Sequence, residues 1–290
     1  MFESIAQLLS EAGRQKRPLH EVIIDDEAEY MGTRKDDVLA RMRRSLDVMK
    51  RSLQKGLETD PVLPIKEAMH MAVKMAAPPV FLGRDMKEAA RWAMEIAEHN
   101  SGMGLIVAAP TAGSSGVLPA VLFKAKELLG KEDEDVFHSM FVAAAVGAII
   151  GNHATLSGSE AGCQAEVGVA SAMAAAGIVY MAGGNSSQVD NAIAIALTNI
   201  MGLICDPIAG LVISPCIKRN AMGVLNAFLG AEMALSGVAS LVPADEVIDA
   251  IMKVGKKLPP ELRETGFGGI ADTPTGRRIK QDIVKDACGK

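Results

Sequence analysis

Val167-Gly168-Val169-Ala170-Ser171-Ala172-Met173-Ala174-Ala175-Ala176-Gly177-Ile178-Val179-Tyr180-Met181 is a run of fifteen residues without a charge or a proline. Its Ala and Met content favours helix, and no face of that helix is polar enough to meet water, so other elements must wrap it. Residues 141–151 and 191–204 repeat the pattern, and 221–242 does so apart from Glu232. Aromatic residues make up only 3% of the chain against 17 Met, so the interior is filled by small and flexible side chains, which suits closely packed helices. A β-sandwich would draw on more aromatic and β-branched residues. The reading is all-α: a single helical domain of 290 residues with Ala/Gly-rich buried central helices surrounded by amphipathic ones. Runs at 140–151, 167–184 and 221–242 approach the length of a membrane span. The first is short and the others carry Ser, Gly, Asn226 or Glu232, so each reads as a core helix and no membrane partner is expected.

Outward from this centre, residues 1–100 read as an outer layer. Residues 2–12 form one amphipathic helix, Pro18 suits the first turn of a second that ends near Gly32, and Thr33-Arg34-Lys35-Asp36 resembles a capping box opening a third towards Gly56. The helical period continues over 65–76 and 86–99, interrupted around Pro78 and Pro79. Residues 101–242 are the core segment, with breaks at 110–116, 151–162, 183–187 and 206–219. Residues 243–290 give a helix opened by Pro243, a Gly-rich connection at 266–276, a charged terminal helix and a tail.

A net charge of −5 and a pI near 5.6 argue against nucleic acid, which is met by a concentrated basic face. Arg41, Arg43, Arg44, Lys50 and Arg51 are interrupted by Asp47 and apolar residues and read as a solvated helix face. The first residues lack a basic stretch followed by an apolar one, so a cytoplasmic location is expected. Gly130-Lys131-Glu132 lacks the hydroxyl residue of a Walker phosphate loop. The four cysteines, Cys163, Cys205, Cys216 and Cys288, form no CxxC pair. The first three lie at expected helix boundaries, where free backbone N–H groups can offset the charge of a thiolate or sulfide; alternatively they are buried small hydrophobes.

Four stretches carry a resemblance. They are Ala108-Ala109-Pro110-Thr111-Ala112-Gly113-Ser114-Ser115-Gly116, Ser157-Gly158-Ser159-Glu160-Ala161-Gly162-Cys163-Gln164-Ala165-Glu166, Gly202-Leu203-Ile204-Cys205-Asp206-Pro207-Ile208-Ala209-Gly210-Leu211-Val212, and Pro215-Cys216-Ile217-Lys218-Arg219-Asn220-Ala221-Met222-Gly223. With Glu264-Thr265-Gly266-Phe267-Gly268-Gly269 and Thr273-Pro274-Thr275-Gly276, they resemble the catalytic α chain of the iron–sulfur-dependent L-serine dehydratases almost from end to end. The resemblance implies a 4Fe-4S cluster held by Cys163, Cys205 and Cys216, with the fourth iron left for a small amino-acid substrate. That iron would act as a Lewis acid on the serine hydroxyl while a base removes the Cα proton, giving pyruvate and ammonia without pyridoxal phosphate. It also implies a separate β subunit as partner, with self-association besides. Single-chain relatives end at or next to a cysteine that can occupy the open iron. Here Gly289 and Lys290 follow Cys288, which is therefore either a tethered ligand or an exposed free thiol.

Thr111, Ser114 and Ser115 read either as a carboxylate cradle or as a turn with a cap. Ser157 begins a Ser-x-x-Glu pattern that is either a capping box or a hydrogen-bonding contact to substrate or cluster. Lys218 and Arg219 would balance the cluster, grip a carboxylate, or sit exposed at a helix start. Among the five histidines, His99, before the family-like Asn100, and His153 are candidate bases, although a lone histidine is more often structural; His20, His70 and His138 are expected to face solvent. Thr59-Asp60-Pro61-Val62-Leu63-Pro64-Ile65 stands where the family usually carries a Ser-Gly-x-Thr-Gly-Gly-Asp-type motif, and Leu105 where Arg or Thr is common. Two alternatives follow from these departures: an L-cysteine desulfidase of the same superfamily, and a cluster-bearing subunit without catalysis of its own.

Overall fold

A computed structural model describes residues 2–58 and 61–288, so Thr59 and Asp60 of the departing motif lie outside the described residues. Thirteen α-helices follow in order: α1 (Ile5–Gln15), α2 (Leu19–Tyr30), α3 (Lys35–Glu58), α4 (Met71–Lys74), α5 (Arg84–Ser101), α6 (Val117–Leu129), α7 (Asp133–His153), α8 (Gly158–Ala161), α9 (Val169–Met181), α10 (Ser186–Ile200), α11 (Cys216–Leu235), α12 (Ala244–Lys257) and α13 (Pro274–Ala287). No strand occurs among the described residues, where an isolated bridge pairs Cys205 with Arg263.

Helix α9 is the axis of the molecule. All of its residues but Tyr180 are buried, and α6, α7, α10 and α11 pack round it. Ala at most contact positions lets backbones approach closely: a Cβ on Gly177 would lie 3.3 Å from the Ser139 carbonyl of α7. The uncharged run that anchors the sequence reading is thus the centre of the core. Two helices, Asp133–His153 and Gln164–Met181, are long and apolar enough to cross a membrane by length and composition, and 61% and 89% of their apolar windows are buried against protein.

The outer helices follow the expected order with local differences. Ser4 caps α1, its Oγ accepting from the Gln7 N–H at 3.0 Å. Thr33 forms no capping box with Asp36; its hydroxyl instead donates to Asp37 Oδ2 at 3.2 Å. The helix expected over 65–76 is broken into a 3₁₀ turn at Lys66–Ala68 and the four-residue α4, because Met69 is extended and His70 adopts a left-handed conformation with φ 61°. Gly276, expected in the connection, lies inside α13, where its N–H is capped by Thr273 Oγ1 at 3.1 Å.

His20 and His138 do not face solvent freely. Their rings stack at 3.8 Å with an interplanar angle of 16°, and His20 Nδ1 lies 2.6 Å from the Tyr180 hydroxyl. The pair joins α2 to α7 and α9. His70 is exposed, as expected.

Candidate metal centre

Cys163 is delivered by a break between α8 and α9. Gly162 turns the chain with φ +78°, at a place where a Cβ would lie 2.6 Å from the Leu203 carbonyl oxygen. A π-helical turn, Gln164–Gly168, then leads into α9. Such turns carry one residue more than α-helix requires and re-aim the side chains beside them. Gln164 is fully buried and ties this segment to the next: its backbone N–H donates to the Leu203 carbonyl at 3.1 Å, and its Oε1 accepts from the Gly202 N–H at 2.8 Å.

Cys205 lies in an extended stretch after α10, which corrects the expectation of a helix boundary there. Its N–H donates to Leu262 O at 2.8 Å and its carbonyl accepts from the Glu264 N–H at 2.7 Å, so the segment just before the Gly-rich connection is bound to the cysteine by backbone. Cys216 is the first residue of α11, where the helix dipole favours negative charge.

Cys163 and Cys205 are each 2% exposed and share one buried cluster with Val167 and Ile200. Cys216 is 7% exposed, and Arg219, in the same first turn of α11, bonds Ile204 and Asp206 on either side of Cys205. Donation from Cys205 and the nearby Arg219 cation lower the Cys163 pKa against the cost of burial. Its hydrogen bond to Cys163 and then burial push Cys205 up, and burial pushes up Cys216.

Arg219 reaches inward while Lys218 is exposed, so the two adjacent cations part company. The guanidinium donates to Ile204 O at 2.9 Å and to Asp206 Oδ1 at 2.8 Å, and its charge lowers the pKa of Cys163. Buried Asp206 in turn accepts from the Ile270 N–H at 2.9 Å.

Two carboxylates complete the site, and residue-by-residue reading of the sequence assigned neither. Glu166 Oε1 accepts from Thr111 Oγ1 at 2.8 Å, and its Oε2 lies 3.8 Å from Cys205 Sγ. Burial raises the Glu166 pKa, with a further rise from Glu264. One donor atom each from Glu166, Cys205 and Glu264 falls within 4.8 Å of the others. The signal for Glu166 was its place three residues after Cys163 as a lone charge before an uncharged run. Gly158 presses against the group, since a Cβ there would be 2.6 Å from Glu166 Oε2 and 3.1 Å from Cys205 Sγ.

The 110–116 loop adjoins the carboxylate through Thr111, whose hydroxyl is also 3.2 Å from that of Ser114. Ser114 and Ser115 are buried, and Ser115 Oγ has no partner. Asn100 Nδ2 donates to Ala112 O at 3.1 Å, fastening the loop to the end of α5. Ser157 caps no N–H of α8 with its side chain; its hydroxyl pairs with that of Ser159 at 2.7 Å, so the expected capping box is absent.

The remaining candidates stand apart from the thiols. His99 is half-buried with its ring against Gly104, and burial together with Lys55 lowers its pKa. His153 is exposed at the end of α7, in a cleft with Ser4, Asp245, Glu246 and Asp249. Cys288 is exposed at the end of α13, and its N–H donates to Val284 O and Lys285 O at 3.1 Å.

Residues 14–271 match the family model for the serine dehydratase alpha chain. The chain belongs to this family. It is 44% identical to a probable L-serine dehydratase alpha chain of Bacillus subtilis (strain 168), with 100% of this chain and 97% of the relative covered. Identity to the L-serine dehydratase alpha chain of Peptoniphilus asaccharolyticus is 38%, with 99% of each covered. L-serine dehydratase TdcG of Escherichia coli (strain K12) is 36% identical over 82% of this chain and 54% of its own length.

Proposed function

We propose that this chain is the catalytic subunit of an iron–sulfur L-serine dehydratase, converting L-serine to pyruvate and ammonia in the cytoplasm. The observation that carries the reading is that three buried cysteines from separate segments are tied together: Cys163 and Cys205 share one buried cluster, and Arg219, one turn after Cys216, bonds the residues flanking Cys205. Family membership and the names of the full-length relatives support the same substrate.

The donor set fits a 4Fe-4S cluster held through three cysteines. Three cysteines are buried, a guanidinium beside them can offset part of the negative charge of their thiolates, and Cys288 is exposed. When bound, the cluster supplies an iron outside the three thiolates that can polarise the C–O bond of the serine hydroxyl.

The protein's own groups do the rest. The Ser115 hydroxyl, buried without a partner, and the backbone of the 110–116 loop receive the substrate carboxylate, while Thr111 orients Glu166. Glu166 takes the Cα proton at its carboxylate, the electron pair of the broken C–H bond forms the Cα–Cβ double bond, and the hydroxyl leaves with the C–O bonding pair and takes that proton back from Glu166 to depart as water. The aminoacrylate left behind tautomerises to an imine, which one water hydrolyses to pyruvate and ammonia. Arg219 is engaged with Ile204, Asp206 and Cys163 and so serves the thiolates, leaving substrate recognition to the loop. The alpha-chain designation of the relatives supports a separate β chain as partner.

The test is anaerobic reconstitution with iron and sulfide, followed by pyruvate and ammonia assays on serine, threonine and cysteine. The expected result is four irons per chain and turnover of serine above the others, both lost in Cys163→Ser, Cys205→Ser and Cys216→Ser. Preferential release of sulfide from cysteine would overturn the substrate. Four irons without turnover, even with the β chain added, would identify a non-catalytic subunit.

A further inference from the structure

Asn220 is wholly buried in the first turns of α11, and every polar atom of its side chain is used. Its Oδ1 accepts from the Gly116 N–H at 3.0 Å; its Nδ2 donates to Gly113 O at 2.7 Å and to Cys216 O at 3.0 Å. Two of these partners belong to the 110–116 loop and the third to a thiol-bearing residue. A single amide thus spans the gap between the loop and the metal centre.

The loop has little freedom to move independently of that amide. A Cβ on Gly116 would lie 2.9 Å from the Ala93 backbone carbon, so this end is pressed on α5. Gly113 is held between Val212 and Glu166, at 3.2 and 3.3 Å from where its Cβ would stand. Between these two glycines sit Ser114 and Ser115, whose placement is therefore set by what Asn220 grips.

We propose that Asn220 is a positioning residue that couples the substrate loop to Cys216, so that metal loading and substrate binding favour one another. This rests on the function proposed above. A cluster on Cys216 fixes the start of α11, Asn220 carries that position to Gly113 and Gly116, and the loop closes in register for the carboxylate. Linkage makes the effect reciprocal: substrate on the loop steadies the thiol-bearing turn. Because about an ångström of misplacement costs on the order of a hundredfold in a positioned reaction, the coupling matters to turnover as well as to binding.

Asn220→Asp keeps the shape and the acceptor for Gly116 but turns an oxygen on the two carbonyls that Nδ2 now serves; Asn220→Ala removes all three bonds. Asn226 provides the control. It is a buried asparagine on the same helix, donating to Ala196 O at 2.8 Å and accepting from Asn199 Nδ2 at 2.9 Å, with no bond to the loop. In the reconstituted holoenzyme, both Asn220 variants should retain four irons and raise KM for serine about tenfold or more. The change that serine induces in the cluster's absorption and Mössbauer spectra should weaken in parallel. Asn226→Ala should lower the melting temperature and leave KM and spectra as in the parent.

A second readout is independent of turnover. Amide exchange across residues 110–116 should slow on cluster loading in the parent chain and fail to slow in Asn220→Asp. Parental KM, spectra and exchange in a destabilised Asn220 variant would overturn the proposal and leave the residue purely structural. If the parent binds four irons but does not turn over serine, the proposed function fails while the exchange experiment still decides the coupling. Should neither Asn220 variant fold, Asn220→Ser is measured by the same exchange, and metal-dependent protection equal to that of the parent would refute the coupling.

Discussion

Glu95 shows how burial alone sets a residue's behaviour. It is 5% exposed on α5, its Oε1 accepts from Arg91 at 3.0 Å, and its Oε2 has no partner. Burial pushes its pKa up to about 7 against the pull of Arg91. The folded chain therefore holds this proton where the unfolded chain has released it, so the contribution to stability is full below about pH 4.5 and is lost as pH rises through 7. Glu95→Gln keeps the shape and removes the titration. Its stability relative to the parent should increase by roughly 1–3 kcal/mol between pH 5 and pH 8, measured by urea unfolding. At this scale the sequence was informative about side chains that act through local neighbours and silent on those that act across the fold. Cys163, Cys205, Cys216 and Arg219 were legible in short motifs. Glu166 and Asn220 were quoted within motifs but left without a role, because their partners Thr111, Gly113 and Gly116 lie 55, 107 and 104 positions away and only folding brings them together.

Helix contacts carry the next level of consequence. Gly223 of α11 faces α6 and the start of α9, and a Cβ there would stand 2.8 Å from Val167 Cγ1 and 3.0 Å from Val117 Cγ2. Gly223→Ala should cost about 1–3 kcal/mol through overpacking. Gly13→Ala on α1 meets nothing within 4 Å and should gain about 0.5–1 kcal/mol, so paired melting curves test whether close approach, and not glycine as such, is what the core requires. The stacked histidines tie α2 to α7 and give the opposite pH dependence to Glu95. Burial, then His138, lowers the His20 pKa, with Glu21 and Glu134 acting the other way and Tyr180 bonded to the ring. The unfolded chain binds that proton more readily, so stability is full above about pH 6.5 and falls as pH drops towards the lowered value. His20→Gln should flatten the acid side of the unfolding profile between pH 6.5 and 5. The core helices were legible as elements because an uncharged run has one way to avoid water. The break at 65–76 was not, since its periodicity reads as helix and the left-handed turn at His70 carries no glycine to announce it.

For the whole molecule, the organisation into outer helices round an Ala-rich centre follows from composition, and the comparison with full-length relatives fixes the family that the motifs suggested. What composition does not convey is the origin of the centre proposed above, which draws Cys163 from the turn before α9, Cys205 from the extended stretch after α10 and Cys216 from the start of α11, chain positions 42 and 11 residues apart. Those separations have a mechanical meaning. Under the proposed assignment, one inorganic group tied to Cys163, Cys205 and Cys216 closes two loops of the chain, as a pair of crosslinks would. In the chain-entropy picture, loops of these lengths are each worth about 3–4 kcal/mol in restricting the unfolded state. Cluster loading should then raise the melting temperature of the parent by several degrees, while the same iron and sulfide treatment leaves Cys216→Ser, which holds no cluster, unshifted; calorimetry under anaerobic conditions measures it. Oxidation that dismantles the group would release both loops together, so exposure to air would slacken the fold as well as extinguish the reaction.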